Sequence, residues 1–157
     1  MKIGGKDNEK DATNSKKLEA YTAIVDKHVE LKNNEALVTS SNGAKTYTVS
    51  CEDNIYHSND NATYWRGYAG YPIIAVLMLQ GEIPFDQKLA DNFASVNWNE
   101  VNAKFKRNYA KAASEVIKEK GLDEKEVMAE LEKVYGALKD LPITIKRGAL
   151  RPPKASN

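Results

Sequence analysis

One cysteine, two histidines and five prolines are all that the 157 residues hold of these types. A single cysteine excludes an internal disulfide and fits a reducing compartment. One Cys and two His leave little from which to build a tetrahedral zinc site, which needs three or four N, S or O ligands. Long apolar runs are also missing. The longest, Ile73 to Leu79, is far short of the ~20 residues that a membrane span needs, so no membrane partner is expected. The first residues alternate Lys, Asp and Glu without an apolar stretch, so no signal peptide is read and a cytoplasmic location is expected. An excess of either charge is absent too. Lys and Arg number 23 against 22 Asp and Glu, a formal charge of +1, which excludes a basic nucleic-acid coat or an acidic disordered chain. What is there is ordinary: 41% hydrophobic and 29% charged residues, in a length that fits one domain. A chain of this size buries roughly 70% of its unfolded surface and needs no staples.

Hydrophobic spacing then orders the chain. Residues 1–13 are polar and read as a flexible tail, followed by a single domain over 14–142 and an extended basic tail over 143–157. Asn14 or Ser15 caps a first helix whose stripe is Leu18, Tyr21, Ile24, Val25, His28 and Leu31, ending at Asn33-Asn34. Residues 36–50 change to a period of two around Asn42-Gly43, the signal of a hairpin with a tight primed turn. Asp53-Asn54 is the turn into a third short strand at Ile55–His57. From Pro72 the pattern is helical. Ile73 to Leu79 is apolar all round and belongs in the core, with Gly81 as its stop. Pro84 opens a short helix carrying Phe85, Leu89 and Phe93. Asn97 with Glu100 resembles a capping box for one long helix striped by Val101, Phe105, Tyr109, Ala112 and Val116 and stopped at Gly121. Asp123 and Glu126 repeat the pattern for a last helix with Val127, Leu131, Val134 and Leu138. The expected fold class is α+β: a small antiparallel hairpin or three-stranded sheet on about five helices, ending in an antiparallel αα-hairpin.

Reactive groups are sparse. Cys51, Asp53 and His57 are close in sequence but too few for a metal site, and no metal or other cofactor is expected. Cys51 with His57 has the makings of a thiolate–imidazole pair, yet nothing in the spacing enforces their contact, so no catalytic residue is assigned. His28, on the apolar stripe, reads as a core histidine. Gly67 and Gly70 lack the strand–turn–helix pattern of a phosphate loop. The segment from Tyr56 to Tyr71 is richer. It gathers Tyr56, His57, Tyr64, Trp65, Arg66 and Tyr68; rings of this kind stack on bases or pack over a sheet, and Arg pairs with phosphate.

Charge is unevenly spread. Lys104, Lys106, Arg107 and Lys111 make one patch without acids, interleaved with Phe105 and Tyr109. Lys146, Arg147, Arg151 and Lys154 make another in the tail. The acids Asp123, Glu124, Glu126, Glu130 and Glu132 crowd the last helix. A basic face attracts phosphate backbones, or is simply a solvated surface.

Residues 38–78 resemble a SWIM-type module, in which a hairpin ends near Cys-x-Cys and a later Cys-x-His runs into an apolar helix. Here Lys45-Thr-Tyr-Thr-Val-Ser-Cys51 and Gly70-Tyr-Pro-Ile-Ile-Ala-Val-Leu77 carry the resemblance. Cys51 falls on one ligand position, while Asp53, Gly70 and Pro72 stand at the other three. The resemblance implies a ββα module that binds DNA or protein without zinc and without catalysis.

The expected function is therefore a non-enzymatic binding module for nucleic acid or a protein partner. Its contacts are Tyr56, His57, Tyr64, Trp65, Arg66 and Tyr68 on the aromatic segment and Lys104, Arg107 and Lys111 on the basic helix face. One alternative is a small-molecule binder or enzyme with a pocket at His57 and Arg66. The other is a structural subunit, a homodimer through the αα-hairpin.

Overall fold

The computed structural model describes the backbone of residues 3–154 and the side chains from Asn14 to Lys154. The fold is α+β. A long helix, α1 (Ile3–Val25), leads into a meander of β1 (Val29–Leu31), β2 (Glu35–Thr39), β3 (Thr46–Glu52) and β4 (Ile55–Ser58). A five-residue π-helical turn (Ala62–Arg66) follows, then α2 (Tyr71–Leu79), α3 (Gln87–Asp91), α4 (Trp98–Lys104), α5 (Tyr109–Glu119), α6 (Glu124–Asp140) and β5 (Thr144–Lys146). The sheet has five strands in the order β1-β2-β3-β4-β5. The first four pair antiparallel, and β5 adds to β4 in parallel.

Alternation along the strands gives the sheet one buried face, carrying Ala36, Val38, Tyr47, Val49 and Tyr56. The α2 helix lies between this face and α1, which explains its composition. Pro72 to Met78 are all buried, so no polar side is needed. Each of its large side chains contributes about 1.5–3 kcal/mol on burial. Helices α3, α5 and α6 pack against α1 in turn. Enclosed on several sides, α1 buries polar residues as well as Leu18 and Tyr21. Lys17 is fully buried; its ammonium donates to Asn14 Oδ1 (2.9 Å) and to the Leu131 carbonyl (3.0 Å). Thr22 Oγ1 donates to the Phe93 carbonyl (2.6 Å) and accepts from Trp98 Nε1–H (2.8 Å).

Five sequence expectations are corrected. The helical backbone of α1 begins at Ile3, upstream of Asn14 and Ser15, which lie within the helix. Residues 1 and 2 of the expected tail lie outside the described residues. The helix also ends earlier, at Val25. Lys27 takes a left-handed φ of 60° and His28 N–H closes onto the Ala23 carbonyl (2.8 Å), so His28 lies beyond the helix and Leu31 belongs to β1. Third, Asn42-Gly43 is not a two-residue primed turn. Only Gly43 has a positive φ (75°), and its N–H bonds to the Ser40 carbonyl (2.9 Å) in a longer loop. The primed turn is instead Asp53-Asn54, with φ values of 53° and 63°, joining Glu52 directly to Ile55. Fourth, the single long helix is two. Lys106 (φ 53°) and Arg107 (φ 64°) break it, and Asn108 recaps the chain by accepting from Lys111 N–H (3.2 Å). Fifth, the short helix after Pro84 starts only at Gln87, where Asp86 accepts from Leu89 N–H (3.1 Å).

The stops at Gly67, Gly81 and Gly121 have φ values of 70–76°. Asn97 and Asp123 cap α4 and α6 through their side chains. Among the described residues no helix is long and apolar enough to cross a membrane.

Buried tyrosines set an alkaline limit. Burial pushes Tyr47 up to about 12, with Asp60 adding to it, and burial with the Cys51 thiol across the strand pair pushes Tyr56 up to about 12. Tyr21 and Tyr71 are raised further, again by burial first. A tyrosine whose folded value lies above its unfolded value of 10 stays neutral in the fold while the unfolded chain ionises. Stability is therefore held below pH ~10 and lost as pH rises above it. A titration following tyrosinate absorbance alongside circular dichroism should show these rings ionising together with unfolding. Ionisation of all eight tyrosines near pH 10 with the fold intact would contradict the buried placement.

Candidate functional site

The loop between β4 and α2 is built around Asp60. Its carboxylate accepts from Thr63 N–H (3.1 Å) and from the Ser58 hydroxyl. Thr63 Oγ1 donates to the Tyr68 carbonyl (3.0 Å) and accepts from Gly70 N–H (3.4 Å). These contacts, made by buried side chains, wind residues 62–66 into the π turn, and Gly67 closes it at φ 76° by donating to the Thr63 carbonyl (3.0 Å). The backbone is thus fixed beneath a surface that carries Tyr64, Trp65 and Arg66.

That surface is aromatic and cationic. The Tyr64 and Trp65 rings meet edge to face at 4.7 Å and 77°. Trp65 remains 67% exposed, so much of its indole is open to solvent. Arg147, just past β5, lays its guanidinium over the Tyr64 ring at 4.8 Å. Arg66 and Arg147 are both exposed. The β5 strand brings Arg147 there: Ile145 pairs with Tyr56 and Lys146 with His57, and Asn59 Nδ2 donates to the Arg151 carbonyl (3.1 Å). The tail is therefore docked as far as Arg151.

The structure divides the predicted contact residues. Tyr64, Trp65 and Arg66 stand together, and Tyr68 is half-buried at the turn's exit. Tyr56 points to the opposite, buried face of β4 and donates to Gln80 Oε1 (3.0 Å). It lines a cleft of about 180 Å³ with Leu31, Cys51, Val49, Val76 and Gln80. His57 lies on the outer face beneath Gly148, where an added Cβ would come within 3.3 Å of the His57 Cβ. Neither this cleft nor the small cavity at Glu19, Ser41, Tyr71 and Trp98 is lined by His57 or Arg66. Cys51 pairs in register with Tyr56 and Ser50 with His57, so the thiol and the imidazole occupy opposite faces of the sheet. A thiolate–imidazole pair is excluded by that parity. Among the described residues no group of three His, Cys, Asp or Glu is placed to hold a metal ion.

Lys104, Arg107 and Lys111 form a second surface at the α4–α5 break. The ammonium groups of Lys104 and Lys111 stand 5.5 and 5.9 Å from the centre of the Phe105 ring. Arg107 and Lys106 project from the left-handed link, exposed.

At the start of α5, Lys16 Nζ sits over the Tyr109 ring at 5.0 Å and pairs with Glu19 at 3.1 Å. Burial works to lower the Lys16 pKa, but Glu19 and the more distant charges of Tyr109 and Asp60 outweigh it and hold the ammonium above its usual value.

Sequence reasoning left Arg147 out of the contact set. Its cation was visible in the tail, but the contact that matters spans the chain from the π turn to β5. The usable signal was the alternation of Ile143 and Ile145 between polar residues, which marks a strand able to dock.

The family model described as uncharacterised conserved protein UCP014422 matches residues 9–144. No curated protein and no solved structure matches the chain.

Proposed function

The chain belongs to the family of uncharacterised conserved protein UCP014422, and we propose that it is a non-enzymatic protein that binds unpaired nucleic acid at the surface of the π turn and β5. The observation that carries this reading is the 67% exposure of Trp65 on a backbone pinned from beneath, beside the cations of Arg66 and Arg147. An indole already braced against Tyr64 loses little freedom when a base stacks on its exposed surface. Both guanidinium groups are exposed, and as planar forks they are suited to pair with phosphate. The turn is five residues long and ends at Gly67, so it offers no helix to enter a major groove. Splayed bases of a single strand suit it better.

Fluorescence anisotropy with labelled single-stranded and duplex DNA and RNA, at low and physiological salt, tests it. Single strands should bind more tightly, and salt should weaken the binding. Base–aromatic stacking is worth about 1–3 kcal/mol, so Trp65→Ala should weaken binding roughly tenfold without moving the thermal midpoint. Arg66→Ala should weaken it further and flatten the salt slope. Equal affinity for wild type and Trp65→Ala would remove the basis of the proposal.

A further inference from the structure

We infer that Asn59 is a positioning residue of this site: its side chain latches the C-terminal segment to the sheet and so holds Arg147 over Tyr64. This rests on the reading above and names what brings the second cation of the proposed site into place.

The observation that carries it is the use of both ends of one buried amide. Asn59 is buried and follows the last residue of β4. Its Oδ1 accepts from Thr48 N–H of β3 (2.8 Å), and its Nδ2 donates to the Arg151 carbonyl (3.1 Å). Val49 with Ser58 is the last pair of the β3–β4 ladder at this end, so the bond to Thr48 carries the ladder one position further through a side chain. An amide fixed in this way can in turn fix the tail. The tail is also held just before Arg147. Ile145 and Lys146 pair in parallel with Tyr56 and His57, and Gly148 lies against His57. Arg147 therefore sits between two anchors, β5 on one side and Asn59 on the other. The first is slight, since β5 is three residues long at the edge of the sheet, and a chain end is poorly ordered unless it is tied down. The second closes the span. Gly148 lets the segment lie this low. A Cβ added there would come within 3.3 Å of the His57 Cβ, and both atoms are bonded to backbone, so neither can swing aside. With both anchors made, the Arg147 guanidinium stands 4.8 Å from the centre of the Tyr64 ring, which itself meets Trp65. A guanidinium held in place loses less freedom on meeting a phosphate than one on a frayed end.

Trypsin and anisotropy together test the inference on the full chain. Trypsin cuts after Lys146 and Arg147 when the segment leaves the sheet, so cleavage at these bonds, read by mass, reports docking without any ligand. Asn59→Ala removes one anchor, and Gly148→Val lifts the segment from His57. Both variants should be cut at these bonds several-fold faster than wild type. Each should also weaken binding of a labelled oligothymidylate of about 12 nucleotides as much as Arg147→Ala does. The expected loss is about three- to tenfold, with a salt slope lower by about one. Adding Arg147→Ala to either variant should weaken binding no further, which a merely structural role would not produce. Gly148→Val keeps the test decisive if Asn59→Ala does not fold. Cleavage at the wild-type rate in the variants would overturn the latch. Faster cleavage with wild-type affinity would overturn the positioning role while leaving the Trp65 site standing. Losses that add to that of Arg147→Ala would overturn it as well, because Asn59 would then act by another route. If wild type binds no single strand at low salt, the underlying reading fails and the positioning role fails with it, whereas trypsin still shows whether the segment is latched.

Discussion

Gly70→Ala should unfold this protein or leave it several kcal/mol less stable. An ideal Cβ at residue 70 would stand 1.9 Å from Asp60 Oδ2 and 2.7 Å from its Cγ. The reason is space rather than backbone freedom, since Gly70 has an ordinary extended conformation (φ −80°, ψ 177°). Asp60 is buried and cannot swing aside cheaply, because Thr63 N–H and the Ser58 hydroxyl hold its carboxylate. Moving it leaves buried donors unpaired at about 1–3 kcal/mol each, on top of about 1–3 kcal/mol for the overpacking. Gly70 also caps the helix at the centre of the core, so a shift there is felt through α2. Chemical denaturation should show a loss of about 3 kcal/mol or more, or no cooperative transition at all. The double variant Asp60→Ala with Gly70→Ala should lose less than the two single losses added together, because the clash is removed with its partner. A Gly70→Ala protein as stable as wild type would show that Asp60 is not locked.

Trp98→Ala should cost about 3–5 kcal/mol, the range for removing a large buried aromatic. Trp98 is 1% exposed and opens α4, where its N–H donates to Ser41 Oγ (2.9 Å). Its indole N–H reaches Thr22 of α1, whose hydroxyl passes the chain on to the Phe93 carbonyl. One side chain thus ties α4 to α1 and, through Thr22, to the segment after α3. Thr22→Val isolates the polar share. It keeps the shape but orphans both the indole N–H and the carbonyl, for about 1–3 kcal/mol. Denaturation of the two variants and their combination gives the coupling. Additive losses would mean that the hydrogen bond contributes nothing beyond packing.

The parts of the fold legible in the sequence are those set by neighbours in the chain. The α2 helix could be read because a helix buried on every side must be apolar on every side. The strands β2, β3 and β4 declare themselves by alternation. The α1–β1 boundary does not. His28 and Leu31 continue the helical spacing of α1, and the break at Lys27 uses a lysine in left-handed conformation where glycine would have been expected. The break at Lys106 and Arg107 is hidden for the same reason. Lys17 and Glu19 look like a solvated face in sequence, yet both are buried because α1 is enclosed by other helices.

The candidate site divides in the same way. Trp65 and Arg66 were visible as residues on a loop. The Asp60 anchor was not, since an Asp in Ser-Asn-Asp-Asn looks like ordinary turn chemistry until Gly70 is brought against it. Arg147 on Tyr64 depends on a three-residue strand pairing in parallel at the edge of the sheet, which leaves almost no local pattern.

The most direct measurement is a tryptophan fluorescence titration with a single-stranded oligonucleotide. The chain has two tryptophans, and their environments differ sharply: Trp98 is 1% exposed and Trp65 is 67% exposed. Stacking of a base on Trp65 should quench the solvent-exposed emission to saturation, with the buried component unchanged, and added salt should reverse it. The Trp65→Ala protein should show no such quenching. Binding detected by anisotropy with Trp65 emission unaltered would contradict the account, as would the absence of any binding at low salt.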